Sequence, residues 1–201
     1  MGNPWFLSIR MRKKLKSSMI EPVSFEFIDR IMDSLVRERD KVLFMLLYLT
    51  AARISELLEL KKKDIAIDSE DGYVFVRLMR LKAKTGSPTK VVPVPLKDEF
   101  SGAISSYIKD MRPGDLLFES PYIKNEPMSR RHAQGIIDSV GKRMGVRLYL
   151  HWFRHQRLSH MALEGLSPYE LKDMAGWSSI KQCDVYVHLS ARRYANKTKP
   201  R

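Results

Sequence analysis

The chain has one cysteine, Cys183, among 201 residues. An internal disulfide is therefore excluded, no cysteine pair is available for a structural zinc site, and stability must come from ordinary packing. Long apolar runs are also missing. The longest, Val42 to Leu49, is far shorter than the roughly 20 residues that span a bilayer. The amino terminus lacks a signal-peptide pattern, so a soluble, intracellular protein with no membrane partner is expected. There are no internal repeats and no low-complexity stretches. Acidic residues are scarce beside basic ones, 23 against 36, which leaves a net charge of +13. An excess of this size favours a polyanionic partner, with nucleic acid ahead of an anionic membrane surface. A solvated basic surface would give the same figure, so charge alone identifies no activity. The length suits one sizeable core, or a compact domain plus a short arm.

What is present is mostly helical patterning around a short stretch of strands. Residues 1–20 carry Arg10, Arg12, Lys13, Lys14 and Lys16 with little apolar periodicity, and read as a basic arm or linker. After Pro22, Ser24 is a candidate N-cap, and Phe25, Ile28, Met32 and Leu35 recur at helical spacing. Val42 to Leu49 is apolar all round and runs without a breaker into Thr50 to Leu60, which predicts one helix through the core with Arg53 at its far end. The pattern then changes. Ile65 and Ile67, Tyr73 to Leu81 and Val91 to Val94 are rich in β-formers, separated by turn signals at Asp68 to Gly72 and Thr85 to Pro88. A three-stranded antiparallel sheet is expected. Helical spacing returns with Phe100, Ile104, Tyr107 and Met111, closed by Pro113 and Gly114, and again with Ile136, Ile137, Val140 and Met144 behind Ser129. Ser167, Pro168 and Glu170 form a capping-box pattern with proline at the first helical position, predicting a short helix that stops near Gly176.

Four segments carry residues capable of chemistry. In Thr50-Ala51-Ala52-Arg53-Ile54-Ser55-Glu56 an arginine ends a strongly apolar run, where a charge needs a specific reason to be placed. Taken alone, it reads as an ion-pair partner of Glu56, three residues on. His151 and Arg154 share one helical face if a helix begins there, and could hold one phosphate together. Lys84, in Ala83-Lys84-Thr85-Gly86, lies at the turn between the second and third strands; it is either a solvated turn lysine or a flexible amine reaching a cleft. Tyr186 follows Trp177 by nine residues, in a stretch where a tyrosine is ordinarily a core residue with a bonded hydroxyl.

In their order and spacing these segments, over roughly residues 22–190, resemble the tyrosine recombinases, which include phage-type integrases and chromosome-dimer-resolving recombinases. The resemblance implies an α+β fold, mainly α with a small three-stranded antiparallel sheet, over residues 21–201 including a carboxyl-terminal tail. It makes Arg53 the first catalytic arginine, His151 and Arg154 the His-x-x-Arg pair, and Tyr186 the nucleophile. Lys84 matches the hairpin lysine, with Lys82 and Lys90 close enough to compete. Trp177 stands where most members have histidine; its indole can still donate a hydrogen bond but cannot transfer a proton.

The implied chemistry is attack of Tyr186 on a DNA phosphate, giving a 3′-phosphotyrosine link and a free 5′-hydroxyl. A phenol titrates near 10 and needs help losing its proton; His151 and the arginines are the candidate helpers. Arg53 and Arg154 would stabilise the five-coordinate transition state, so neither metal nor other cofactor is expected. The expected partners are double-stranded DNA and further copies of the chain, as a tetramer on DNA, serving integration or excision of a mobile element or viral genome in a prokaryotic host. The competing readings are a noncatalytic DNA-binding protein on the same scaffold, and a type IB topoisomerase-like enzyme or resolvase. Family members usually carry a helical DNA-clamping domain ahead of the catalytic one, and about 20 residues precede the first predicted helix here.

Overall fold

The computed structural model describes residues 22–68, 70–79, 89–95, 98–187 and 189, without the side chains of 98–101. The chain divides into two compact units, one formed by Val23–Arg157 and a smaller one to which Pro22 and the residues from Leu158 onward belong. The basic arm at 1–20, Lys82, Lys84 and nearly all of the carboxyl-terminal tail lie outside the described residues.

The larger unit opens with helix α1, Phe25–Asp33, capped as expected by the Ser24 side chain, which accepts from the Phe27 amide. Ile28, Ile31 and Met32 bury its inner stripe. Helix α2, Glu38–Leu49, is buried from Val42 to Tyr48, which is why its sequence shows no polar face. Its Phe44 ring packs against Phe153 at a centroid distance of 5.3 Å.

Where the sequence reads as one helix through Leu60, the structure has two. The chain breaks after Thr50, and a short helix α3 covers Ile54–Leu58. At the break Ala51 adopts φ 49° and is fully buried. A left-handed alanine costs roughly 1–2 kcal/mol, so it persists only where tertiary contacts over-determine it. Arg53 consequently occupies the N-cap of a second helix and not the end of the first.

The sheet follows with strands β1, Ile65–Asp68, β2, Tyr73–Met79, and β3, Thr89–Pro95, paired antiparallel in the order β1-β2-β3. Val74, Val76 and Leu78 of β2 and Val92 and Val94 of β3 point into the core, the alternation expected of a half-buried sheet. Pro93 and Pro95 sit opposite Phe75 and Tyr73 on edge strand β3, where a missing N–H costs no ladder bond. Helix α4, Asp98–Ile108, precedes a loop that returns to the core through Leu117 and Phe118.

Helix α5, Arg130–Met144, starts at Ser129, whose hydroxyl accepts from the His132 amide, and ends at Gly145 with φ 68°. A Cβ on Gly141 would meet the Val146 carbonyl oxygen at 2.6 Å, so only glycine allows the chain to fold back over the end of this helix. Helix α6, Leu150–Glu164, supplies Phe153 and Arg154 to the larger unit before continuing into the smaller one.

In the smaller unit helix α7, Pro168–Ala175, has the expected capping box between Ser167 and Glu170 and stops at Gly176, with φ 60°. A 3-10 turn, Ile180–Cys183, leads into the helical residues 184–187. No helix among the described residues is long and apolar enough to cross a membrane.

Candidate active site

In the larger unit the break after α2 places Arg53. Glu56, 7% exposed, accepts both from the Arg53 backbone N–H and from its guanidinium Nη1, each at 2.9 Å. The ion pair foreseen for this arginine therefore exists. It holds the guanidinium at the start of α3 while leaving the Arg53 side chain 38% exposed. An anchored but accessible fork can meet an anion without losing its support.

Arg154 stands on the first turns of α6 and is 3% exposed. Its Nη1 donates to the carbonyl oxygen of Ala51 at 2.6 Å, a bond spanning 103 residues of sequence. The backbone that introduces Arg53 is thus bonded directly to the second arginine. Thr50 secures the same turn from inside: its hydroxyl donates to the Leu46 carbonyl at 2.6 Å and accepts from the Ala52 amide at 3.2 Å.

His151, one turn before Arg154, lies on the accessible side of α6 with much of its surroundings already protein. Partial burial holds its imidazole below the ordinary range, and the positive charges of Arg154, Arg53 and Arg130 push the same way. The neutral ring that results can accept a proton near neutral pH. The larger unit therefore brings Arg53, His151 and Arg154 into one electrostatic neighbourhood.

Two members of this neighbourhood are not singled out by the sequence. Arg130, at the amino end of α5, acts on His151 from a distant segment, and nothing local in the sequence ties it there. His155 packs edge-on against the His151 ring with centroids 4.5 Å apart and planes at 86°. Its pKa is pushed down to about 4, first by burial and then by His151 and Arg154. Its spacing of four from His151 on a helix was the available signal.

In the smaller unit Tyr186 is 1% exposed and its ring stacks on Trp177, with centroids 5.8 Å apart and planes at 21°. Trp177 is set by the end of α7: Gly176 in the left-handed region lets the Trp177 amide reach the Lys172 carbonyl at 3.0 Å. Cys183 is buried, with its thiol against the Pro168 carbonyl at 3.1 Å, and burial raises its pKa. Lys84 is not among the described residues; Lys90, its competitor, lies on β3 opposite Leu78. Among the described residues no three His, Cys, Asp or Glu side chains cluster so as to hold a metal ion.

A profile of the phage integrase family matches residues 23–193. The chain belongs to the phage integrase family. The tyrosine recombinase XerA of Thermococcus kodakarensis is 26% identical over 181 residues, covering 88% of this chain and 61% of the relative. The crystal structure of a XerA recombinase superposes with a TM-score of 0.69 at 22% identity, over 91% of this chain and 65% of the other. The XerH site-specific recombinase bound to a palindromic difH substrate, in a post-cleavage complex, gives a TM-score of 0.70 at 18% identity, over 88% of this chain and 52% of the other. These structures share the integrase-family fold described above, mainly α with a three-stranded antiparallel sheet. The chain spans 61% of the length of the curated XerA relative, so it corresponds to part of such a protein.

Proposed function

We propose that this chain is the catalytic part of a site-specific DNA recombinase that cleaves and rejoins strands through a 3′-phosphotyrosine intermediate. The observation that carries the reading is that, within a matched integrase-family sequence, Arg154 donates to the turn that introduces Arg53, with His151 one helical turn before Arg154. Two planar guanidinium forks beside a proton acceptor suit an in-line displacement at a phosphodiester, where charge builds on the non-bridging oxygens.

In this mechanism the Tyr186 oxygen attacks phosphorus, the bond to the 5′-oxygen breaks, and the phenolic proton passes to His151. Arg53 and Arg154 bind the non-bridging oxygens. Lys84 protonates the departing 5′-oxygen, and Trp177 supports the Tyr186 ring. Reversal by a 5′-hydroxyl from another strand restores a phosphodiester, so bond energy is conserved and no nucleotide cofactor is consumed. Because Tyr186 is 1% exposed, attack requires its segment to present the hydroxyl to DNA.

Residues 21–201 would act as one catalytic module, with the basic arm at 1–20 lying along the phosphate backbone. Double-stranded DNA is the substrate, the working assembly is a tetramer on paired sites, and the setting is the nucleoid of a prokaryotic cell. The net charge of +13 supports a polyanionic substrate whose binding weakens steeply with salt.

The test is covalent trapping on nicked suicide duplexes with a randomised core, comparing wild type with Tyr186→Phe on denaturing gels. An adduct formed only by wild type is expected. An equal adduct from Tyr186→Phe removes Tyr186 as nucleophile, and DNA binding without adduct in wild type favours a noncatalytic DNA-binding protein.

A further inference from the structure

The strained turn between α2 and α3 is buried, carries no side chain suited to the reaction, and yet touches both arginines. Ala51 is held at φ 49° with its side chain fully buried, a conformation an alanine adopts only under constraint. Its carbonyl receives the Arg154 guanidinium at 2.6 Å. Two residues on, the same backbone becomes the N-cap that carries Arg53. The side chain that closes the turn is Thr50, fully buried, donating to Leu46 and accepting from Ala52.

We propose that Thr50 is a positioning residue: its hydroxyl fixes the Ala51 turn, and the turn sets Arg154 and Arg53 in register for one phosphate. The inference rests on the recombinase reading for its consequence in catalysis, but the anchoring itself does not depend on that reading. If the hydroxyl is removed, the turn loses the bond to the Leu46 carbonyl and the bond from the Ala52 amide that brace the left-handed state at Ala51. The carbonyl then swings away from Arg154 as the peptide relaxes toward ordinary helical geometry. The guanidinium loses its bond to the Ala51 carbonyl, and Arg53 shifts with the start of α3. A displacement of about 1 Å at groups that hold a reacting phosphate can cost on the order of 100-fold in rate. Ground-state DNA affinity, which is spread over many phosphate contacts, barely changes.

The experiment compares wild type, Thr50→Val, Thr50→Ala and Thr50→Ser. Valine preserves the shape of threonine without the hydroxyl; alanine serves if the valine variant does not fold. Single-turnover adduct formation on the nicked suicide duplex gives a rate constant and an amplitude, and a binding titration on intact duplex gives Kd. Nitrogen-15-edited NMR of the Arg154 guanidinium, without DNA, reports whether rotation at its Nη groups is hindered.

The proposal expects Thr50→Val or Thr50→Ala to slow the rate constant about 10- to 100-fold. Amplitude and Kd stay within about twofold, rotation at the Arg154 Nη1 becomes less hindered, and Thr50→Ser restores both rate and NMR signature. A role in stability alone would lower the amplitude and leave the rate constant and the Arg154 signals unchanged, and that result overturns the proposal. If wild type forms no adduct at all, the recombinase reading fails by itself, and the NMR comparison alone then decides whether Thr50 orients Arg154.

Discussion

Removing the Glu56 carboxylate tests how far Arg53 depends on its anchor. In Glu56→Ala two bonds disappear together, the one from the Arg53 backbone N–H and the one from its Nη1, both at 2.9 Å. The first is an N-cap interaction, and losing such a cap costs roughly 1 kcal/mol. The second is an ion pair with one partner 8% and the other 38% exposed in its side chain. Solvent screening at the open end limits it to roughly 0.2–1 kcal/mol. The sum is about 1–2 kcal/mol. For a chain of this length each kcal/mol lowers Tm by about 2–4 °C, which gives a loss of about 2–8 °C.

The companion variant Glu56→Gln separates the two contributions. Its amide oxygen can still accept from the Arg53 N–H, but the charge is gone, so the neutral variant retains the cap and loses only the ion pair. Thermal unfolding followed by circular dichroism should therefore rank wild type above Glu56→Gln, and Glu56→Ala last. Added salt should narrow the gap between wild type and the glutamine variant while leaving the gap between the two variants in place. If all three proteins melt within about 1 °C of one another, Arg53 is not held by Glu56, and the account of its placement is refuted.

Two further outcomes follow from the same geometry. With its folded pKa near 4 against an ordinary 6.5, His155 takes up a proton more readily in the unfolded chain. Stability is therefore fully present above about pH 6.5 and falls as pH drops toward 4; allowing for a half-exposed ring, about 1–2 kcal/mol is lost. Urea melts at pH 7 and 4.5 should show this, a shallower slope is expected for His155→Gln, and an identical slope would exclude the assignment. Tyr186, 1% exposed and stacked on Trp177, should resist nitration by tetranitromethane in the free protein while the 75%-exposed Tyr169 reacts. Peptide mapping should show Trp177→Ala opening Tyr186 to the reagent, and ready nitration of Tyr186 in wild type would contradict its burial.

Much of the architecture is local and could be read from residue patterns. Ser24, Ser129 and Ser167 start helices because each side chain satisfies an amide that the helix itself leaves unpaired, and that chemistry needs no knowledge of the rest of the chain. Gly176 ends α7 for an equally local reason, since the left-handed turn suits a residue without a side chain. The strands declare themselves through runs of β-formers between turn signals, and Pro93 and Pro95 are compatible with β3 because it is an edge. His151 and Arg154 could be paired from spacing because both lie on α6.

The break at Ala51 was illegible for the opposite reason. Alanine has the highest helix propensity of all residues, and nothing from Val42 to Leu60 is a glycine or proline. The helix stops because of a hydroxyl on the preceding residue and a guanidinium 103 residues later. The guanidinium cannot be weighed from a local window. Arg130 escaped for the same cause, since its effect on His151 exists only after α5 and α6 have packed. Arg130 and the break at Ala51 were thus missed because charge or conformation there is set by contacts across the chain, whereas His155 lay within reach of its helical spacing from His151. At Ala51 that dependence runs in both directions: the carbonyl of the strained turn accepts from Arg154, and the Arg154 guanidinium is oriented in part by that carbonyl. A segment with such mutual dependence should form late and cooperatively, so amide exchange at Ala52 and Arg53 should approach the protection of the core of α2 and not that of an exposed loop. Fast exchange there, beside a well-protected α2, would mean that the bond from Arg154 does not hold the break.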